Sequence, residues 1–375
     1  MRKPALCLAV ILACFCAAAP RADAQRRIVP RLPAVAESHY PADPDTLLKT
    51  LRSFYDAADA PEVTSFLAAC IASPAPYGLA GKVSAHAFKS LKPGQYERVI
   101  ILTSAHTADI EGCSLPEVDA FLTPLGPVAL DQEAVRRLVF SPLFSVQALN
   151  YSEKGSKRGR VHEWEHGIET LLPYLQERLL EFKLVPVVIG SLTTPSGKFN
   201  PAAADSVAKT IRPLLDDRTL LVVSSSFTHF GNDFSNRPFN ENIQKNIERL
   251  DRQAFECLLS LDAAAFQRYM EDTENVIDGE NCIHVLLRLL PPGTQARILA
   301  YEVSCALTGD MNRSVSFSAF TFHDPARPAA APQPDKVRPL PMPGIPAGTP
   351  PAPPTPEAAP GEKAKTAKQP KKETP

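Results

Sequence analysis

Three short apolar runs, none of which alternates apolar with polar residues, constrain this chain more than any other feature. They are Arg98-Val99-Ile100-Ile101-Leu102-Thr103, Leu184-Val185-Pro186-Val187-Val188-Ile189-Gly190 and Thr219-Leu220-Leu221-Val222-Val223-Ser224. A strand with one face in water alternates, so runs of this kind predict strands buried on both faces of a sheet. Helical spacing appears between them. Asp45 to Tyr55 sets Leu47, Leu48, Leu51 and Phe54 on one face, and Ile168 to Leu180 carries Leu171, Leu172, Leu175 and Leu179. Asn240 to Leu259 and Ala263 to Met270 read as further helices. Strands alternating with helices predict an α/β layered sandwich, a buried mixed or parallel sheet flanked by helices.

The ends of the chain have a different composition. Arg2 and Lys3, the apolar run Ala5 to Ala19 and the small residues of Ala22-Asp23-Ala24 form the three-part layout of a secretory signal over residues 1–24. The expectation is export to the periplasm or beyond, with no membrane span once the signal is removed. Ile11-Leu12-Ala13-Cys14 is a loose lipobox, which makes a lipoprotein anchored through Cys14 the alternative. At the other end, 16 of the chain's 38 prolines fall between Pro325 and Pro375, and the last stretch carries Lys363, Lys365, Lys368, Lys371 and Lys372. Such a segment cannot bury enough surface to repay ordering, so residues 325–375 read as a disordered tail whose cationic end suits contact with the cell envelope. The domain expected between is 30–324. With 40 Lys+Arg against 41 Asp+Glu the chain has no basic excess, which argues against a nucleic-acid partner. Beyond the signal lie Cys70, Cys113, Cys257, Cys282 and Cys305, an odd number with no C-x-x-C pair.

In α/β folds, ligands gather past the carboxyl ends of the strands. His106 follows the first run by a few residues, and His229 follows the third in Ser224-Ser225-Ser226-Phe227-Thr228-His229. His166 opens a helical stretch. Imidazole is the commonest metal ligand, and a carboxylate beside two histidines would complete a two-His-one-carboxylate set. One rival pattern overlaps these residues: His162-Glu163-Trp164-Glu165-His166 is a literal H-E-x-x-H, which demands a continuous helix and a third ligand to act as a zinc-hydrolase site. Nucleotide-binding glycine loops and a G-x-S-x-G elbow are absent from the sequence.

Several blocks in order along the chain resemble the MEMO family, whose bacterial and archaeal members are called AmmeMemoRadiSam system protein B. They are Ser38-His39-Tyr40-Pro41-Ala42-Asp43-Pro44-Asp45-Thr46-Leu47, Ser104-Ala105-His106, Val118 to Gly126, Glu165-His166-Gly167-Ile168-Glu169 with Leu172-Pro173-Tyr174, Val185-Pro186-Val187, Ser224 to Gly231, and Ser314-Val315-Ser316-Phe317. The resemblance covers about residues 36–324. It implies a fold similar to class III extradiol dioxygenases, which are non-haem iron enzymes, and a small site of histidines and a cysteine. His106 and His229 match that pattern. The family's earliest site histidine falls on Pro74, its cysteine on Asp278, and the aspartate of its Ser-Ser-Asp segment on Ser226.

The resemblance therefore implies His106, His229 and Asp278 as metal ligands and His166 as acid/base or fourth ligand. The cofactor expected is iron(II) or another divalent metal, since a carboxylate in place of a thiolate hardens the site; no metal at all is the other expectation, since Pro74 has no donor atom. Two functions follow. One is an exported, non-catalytic protein that binds an unidentified small molecule or protein partner; the alternative is a metal-dependent oxidoreductase resembling the extradiol dioxygenases.

Overall fold

A computed structural model describes residues 29–59, 64–146 and 160–336. The expected signal, Cys14 and most of the proline-rich tail lie outside the described residues. The strands in chain order are β1 (Pro30–Arg31), β2 (Ser65–Ala72), β3 (Arg98–Ser104), β4 (Cys113–Leu115), β5 (Ala120–Thr123), β6 (Gly126–Ala129), β7 (Phe144–Val146), β8 (Lys183–Ile189), β9 (Thr219–Ser224), β10 (His229–Gly231), β11 (Gln295–Val303) and β12 (Arg313–Pro328). Among the described residues they form a mixed nine-stranded sheet in the order β10-β12-β2-β9-β3-β8-β4-β7, with β11 on β12, and a small sheet β1-β5-β6. The architecture is the α/β layered sandwich expected.

The three apolar runs are β3, β8 and β9, and they pair in parallel at the centre of the sheet. Val99 to Leu102, Leu184, Val185, Val187 and Leu220 to Val223 are all essentially inaccessible, because helices cover both faces. β2 extends the parallel group through β9, and the long β12 closes its flank antiparallel. The helices begin where local chemistry stops the extended chain. Asp43 caps helix Pro44–Ala57 by accepting from the Thr46 N–H at 2.8 Å, with Pro44 in the first turn, and Asp262 caps Ala263–Thr273 in the same way. Helix Ile243–Leu259 buries Ile247, Ala254 and Leu258. The periodic stretch at 168–180 divides into a 3-10 turn, Glu169–Leu171, and helix Leu172–Leu179, because Pro173 fits only a first turn. Among the described residues, no helix is long and apolar enough to cross a membrane.

The boundary expected at residue 325 lies too early. β12 runs to Pro328, and the chain then crosses beneath the amino-terminal edge of the sheet. There the Ala331 carbonyl accepts from Arg218 at 2.9 Å, Gln333 N–H donates to the Pro93 carbonyl at 2.8 Å, and Lys336 pairs with Glu181. Proline content marked a change in composition, but these backbone partners hold the first dozen residues of that stretch.

Candidate functional site

The carboxyl ends of β2, β3 and β9 meet at one edge of the sheet, and the loops leaving them carry the candidate residues. His106 lies two residues beyond β3. Its imidazole is clamped on both sides: Nδ1 donates to Glu165 Oε1 at 2.7 Å, and Nε2 lies 3.2 Å from Asp278 Oδ2. Burial acts to lower its pKa, but the two carboxylates outweigh that and hold it well above the usual histidine value, so His106 is an imidazolium. Asp278 is fixed in turn, its Oδ1 accepting from the Ser226 N–H at 2.8 Å. Against burial, which raises it, His106 and His229 keep its pKa below the ordinary carboxylate range.

Glu165 is an orienting group. Oε2 accepts from the His106 backbone N–H at 2.8 Å, and Oε1 from His106 Nδ1 and from the Gly167 N–H at 2.8 Å. His106, Glu165 and His166 offer ligand atoms within 4.8 Å of one another. With its oxygens already used, Glu165 belongs behind His106 rather than on a cation, the carboxylate–histidine arrangement common behind metal ligands. His166 packs its ring 4.4 Å from that of His106, and burial together with the His106 charge lowers its pKa to about 4, so it is neutral at pH 7.

Two glycines let these loops approach. A Cβ on Gly167 would meet Thr103 Oγ1 at 2.0 Å, and one on Gly279 would meet the Ser225 side chain at 2.3 Å. Only glycine lets the Glu165–His166 segment and the Asp278 loop lie this close to the ends of β3 and β9.

The structure thus brings His106, Asp278 and His166 together. His229 is at the same edge: its N–H donates to the Val276 carbonyl at 2.9 Å, and it lies near enough to Asp278 to act on that carboxylate. Its Nδ1 lies 2.8 Å from the Phe227 carbonyl, so Nε2 is the ring atom left to meet a ligand. Pro74 sits in the loop beyond β2, where Ser73 and Ser226 share a 2.7 Å hydroxyl contact. The H-E-x-x-H reading fails. Helix Val161–Trp164 spans one turn and Glu165 is extended, so His162 and His166 do not share a helical face. His162 is buried, with Nε2 on the Ser114 carbonyl at 2.9 Å.

Two features escaped the sequence reading. Glu165 was visible only as part of a motif, not as the support of His106. His39 was passed over although its ring lies 5.0 Å from that of His166. It arrives on an amino-terminal arm, residues 30–40, which Glu169 pins by accepting from Ala34 N–H (2.8 Å), Val35 N–H (3.0 Å), the Tyr40 hydroxyl and the Arg31 guanidinium. Arg31 also donates to the carbonyls of His162 and Glu165, at 3.0 and 2.7 Å. Among the described residues, two cavities of about 370 Å³ each lie elsewhere, one lined by Arg98, Lys183 and Arg218 and the other by Leu32, Pro116 and Trp164. Neither gathers several imidazoles around a carboxylate, so the chemistry points to the His106 cluster.

Comparison with known proteins agrees with the sequence blocks. The chain is 29% identical over 264 residues to the protein memo-1 homolog of Caenorhabditis elegans, covering 67% of this chain and 71% of that one. It is 30% identical over 230 residues to Protein MEMO1 of Homo sapiens, covering 59% and 72%. Against Protein MEMO1 of Danio rerio it is 30% identical over 268 residues, covering 70% and 84%. The crystal structure of the uncharacterized protein JW3007 from Escherichia coli K12 aligns with a TM-score of 0.39 at 13% identity, over 68% of this chain and 99% of that one. The family model described as Memo-like protein matches residues 31–321, from the first buried arginine of the arm to the middle of β12, and the chain belongs to that family.

Proposed function

We propose that this chain is an exported Memo-like protein whose site holds a divalent cation between His106 and Asp278 and binds a small ligand there without turning it over. The observation that carries this reading is the 3.2 Å separation of His106 Nε2 and Asp278 Oδ2. Two ligand bonds of about 2.1 Å, set near a right angle, require donor atoms about 3 Å apart. His106 is already oriented by Glu165 from behind, and His166 and His229 stand near as further imidazoles. A cation bound here would supply positive charge to an oxygen-bearing ligand. One carboxylate among imidazoles suits iron(II), manganese or zinc better than copper(I). Binding it displaces the proton from His106 Nε2, so affinity rises with pH.

The non-catalytic part of the reading rests on Pro74, which has no donor atom where the resemblance places a histidine. Export rests on the amino-terminal sequence, and the lysine-rich end suits contact with the envelope. A metal-free ligand site is the second reading, favoured by the two carboxylate bonds that already satisfy both nitrogens of the His106 imidazolium.

Elemental analysis of the chain from Gln25 onward decides between them, after anaerobic loading with iron(II) and separate loading with manganese and zinc. About one cation per chain, lost in Asp278→Asn and in the His106→Ala/His229→Ala double variant, supports the proposal. No bound cation selects the metal-free reading. Oxygen uptake with catechol-like compounds, above that of free iron(II) and abolished by Asp278→Asn, would overturn the non-catalytic assignment in favour of an oxidoreductase. Cell fractionation with amino-terminal sequencing tests export; intact protein in the cytosol refutes it.

A further inference from the structure

We propose that Asp251, on helix Ile243–Leu259, is a positioning residue of this site, which acts through Thr228 and Asn275 to set the loop that presents Asp278 to His106. This deepens the reading that the site holds a divalent cation, and rests on it. Asp251 is fully buried. Its Oδ1 accepts from the Thr228 N–H at 3.1 Å and from the Thr228 hydroxyl at 2.6 Å, and its Oδ2 from the Tyr301 hydroxyl at 2.6 Å. A hydroxyl has one proton to give. With that proton directed at Asp251, Thr228 Oγ1 turns a lone pair to Asn275 Nδ2, which donates to it at 2.8 Å and to the Tyr269 hydroxyl at 2.7 Å.

Asn275 lies three residues before Asp278, and the backbone between them runs beside the segment Ser226 to His229. Thr228 bridges Ile277 antiparallel, the His229 N–H donates to the Val276 carbonyl at 2.9 Å, and the Ser226 N–H holds Asp278 Oδ1 at 2.8 Å. The Thr228–Asn275 bond ties the two segments together through buried side chains. A slip between them would move Asp278 Oδ2 relative to His106 Nε2, 3.2 Å away. A site of fixed spacing needs such outer support. The printed partners of Asp251 are all neutral groups, and burying a carboxylate among neutral groups costs the fold stability. Asp251 is therefore placed for what it orients rather than for what it stabilises.

The test uses the chain from Gln25 onward with cobalt(II) as the probe, its affinity measured by chelator competition and its coordination by the visible spectrum. Asp251→Leu removes both acceptor oxygens. Asp251→Asn is the conservative variant, whose carbonyl still accepts from Thr228 while its amide donates to Tyr301. Thr228→Val keeps Asp251 and removes the hydroxyl, so it carries the test if Asp251→Leu does not fold. Leu258→Ala opens a cavity beside the same helix and is the structural control. The expected result is an affinity loss of at least about tenfold, with an altered cobalt spectrum, in Asp251→Leu and in Thr228→Val. Asp251→Asn should bind as the parent does, and the Asp251→Leu/Thr228→Val double variant should lose no more than the weaker single variant. Leu258→Ala should lower the urea midpoint and leave affinity and spectrum unchanged. Parent-like affinity and spectrum in both Asp251→Leu and Thr228→Val, with the parent binding cobalt(II), overturns the positioning role alone. An equal affinity loss in Leu258→Ala also overturns it, since the effect would then be one of general stability. Failure of the unmodified chain to bind cobalt(II) overturns this inference together with the cation reading on which it rests.

Discussion

Replacing His284 with leucine should make the protein less sensitive to acid. His284 is fully buried on helix Glu280–Leu289, stacked on Phe199 with ring centroids 3.8 Å apart and set edge-on to Phe266 at 4.9 Å. Neither ring nitrogen has a hydrogen-bond partner among the described residues, and Glu280 stands 3.9 Å away. Burial, with the charge of Arg288 adding to it, depresses the pKa to about 3. The sign follows from proton counting. The unfolded chain takes up a proton near pH 6.5 and the folded chain does not, so stability is full above 6.5 and lost as pH falls towards 3. Each unit of pKa difference corresponds to about 1.4 kcal/mol, so the step from neutrality to pH 5 costs about 2 kcal/mol through this residue alone. His162, His166 and His323, each lowered to about 4 mainly by burial, add to the same limb. His284→Leu keeps comparable volume, removes two unpaired polar atoms and leaves the other three histidines in place. Urea denaturation at pH 7 and pH 5 is the assay. The variant should be at least as stable as the parent at pH 7 and should lose about 2 kcal/mol less on going to pH 5. An identical loss in both proteins would show that His284 is not held neutral by its surroundings.

Three further outcomes are expected. His106 acts in the opposite direction: its raised pKa stabilises the fold fully below pH 6.5, and that help is lost as pH climbs through the folded value. In cation-free protein, Glu165→Gln should therefore flatten the alkaline limb of stability between pH 7 and 9, and an unchanged slope of the urea midpoint would contradict the two-carboxylate clamp. Arg31→Met strands the Glu169 carboxylate in the interior and should cost about 3–5 kcal/mol, with much of it recovered in Arg31→Met/Glu169→Gln; additive losses in the double variant would count against direct pairing. Gly167→Ala forces a methyl group onto Thr103 Oγ1 and should cost about 1–3 kcal/mol by thermal melting, partly relieved by Thr103→Ala.

The centre of the fold could be read from the sequence because burial on both faces leaves a simple mark, an apolar run without alternation, and β3, β8 and β9 each carry one. Their neighbours do not. β2 reads Ser65-Phe66-Leu67-Ala68-Ala69-Cys70-Ile71-Ala72, and its small residues have little strand preference of their own; it is a strand because β9 and β12 pair with it. β12 alternates serine with apolar residues (Val315, Phe317, Ala319), which suggests one face in water, yet Ser314, Ser316 and Ser318 are all buried.

The site was legible to the same degree. His106 and His229 follow strand ends, and a strand end is local information. Asp278 emerged only through family resemblance, because its loop precedes a helix and follows no apolar run. Glu165 and His39 depend on contacts with residues 59 and 127 positions away along the chain, and no short-range pattern encodes those distances.

The strap formed by residues 329–336 has a geometric consequence. It crosses the edge of the sheet where β3, β8 and β9 begin, whereas His106 and Asp278 lie where those strands end, about 20 Å away along strands of this length. Lys336 and the residues before it therefore lie at the pole opposite the histidines. A pull applied at Lys336 would therefore load the contacts to Pro93, Arg218 and Glu181 before the loops that hold His106.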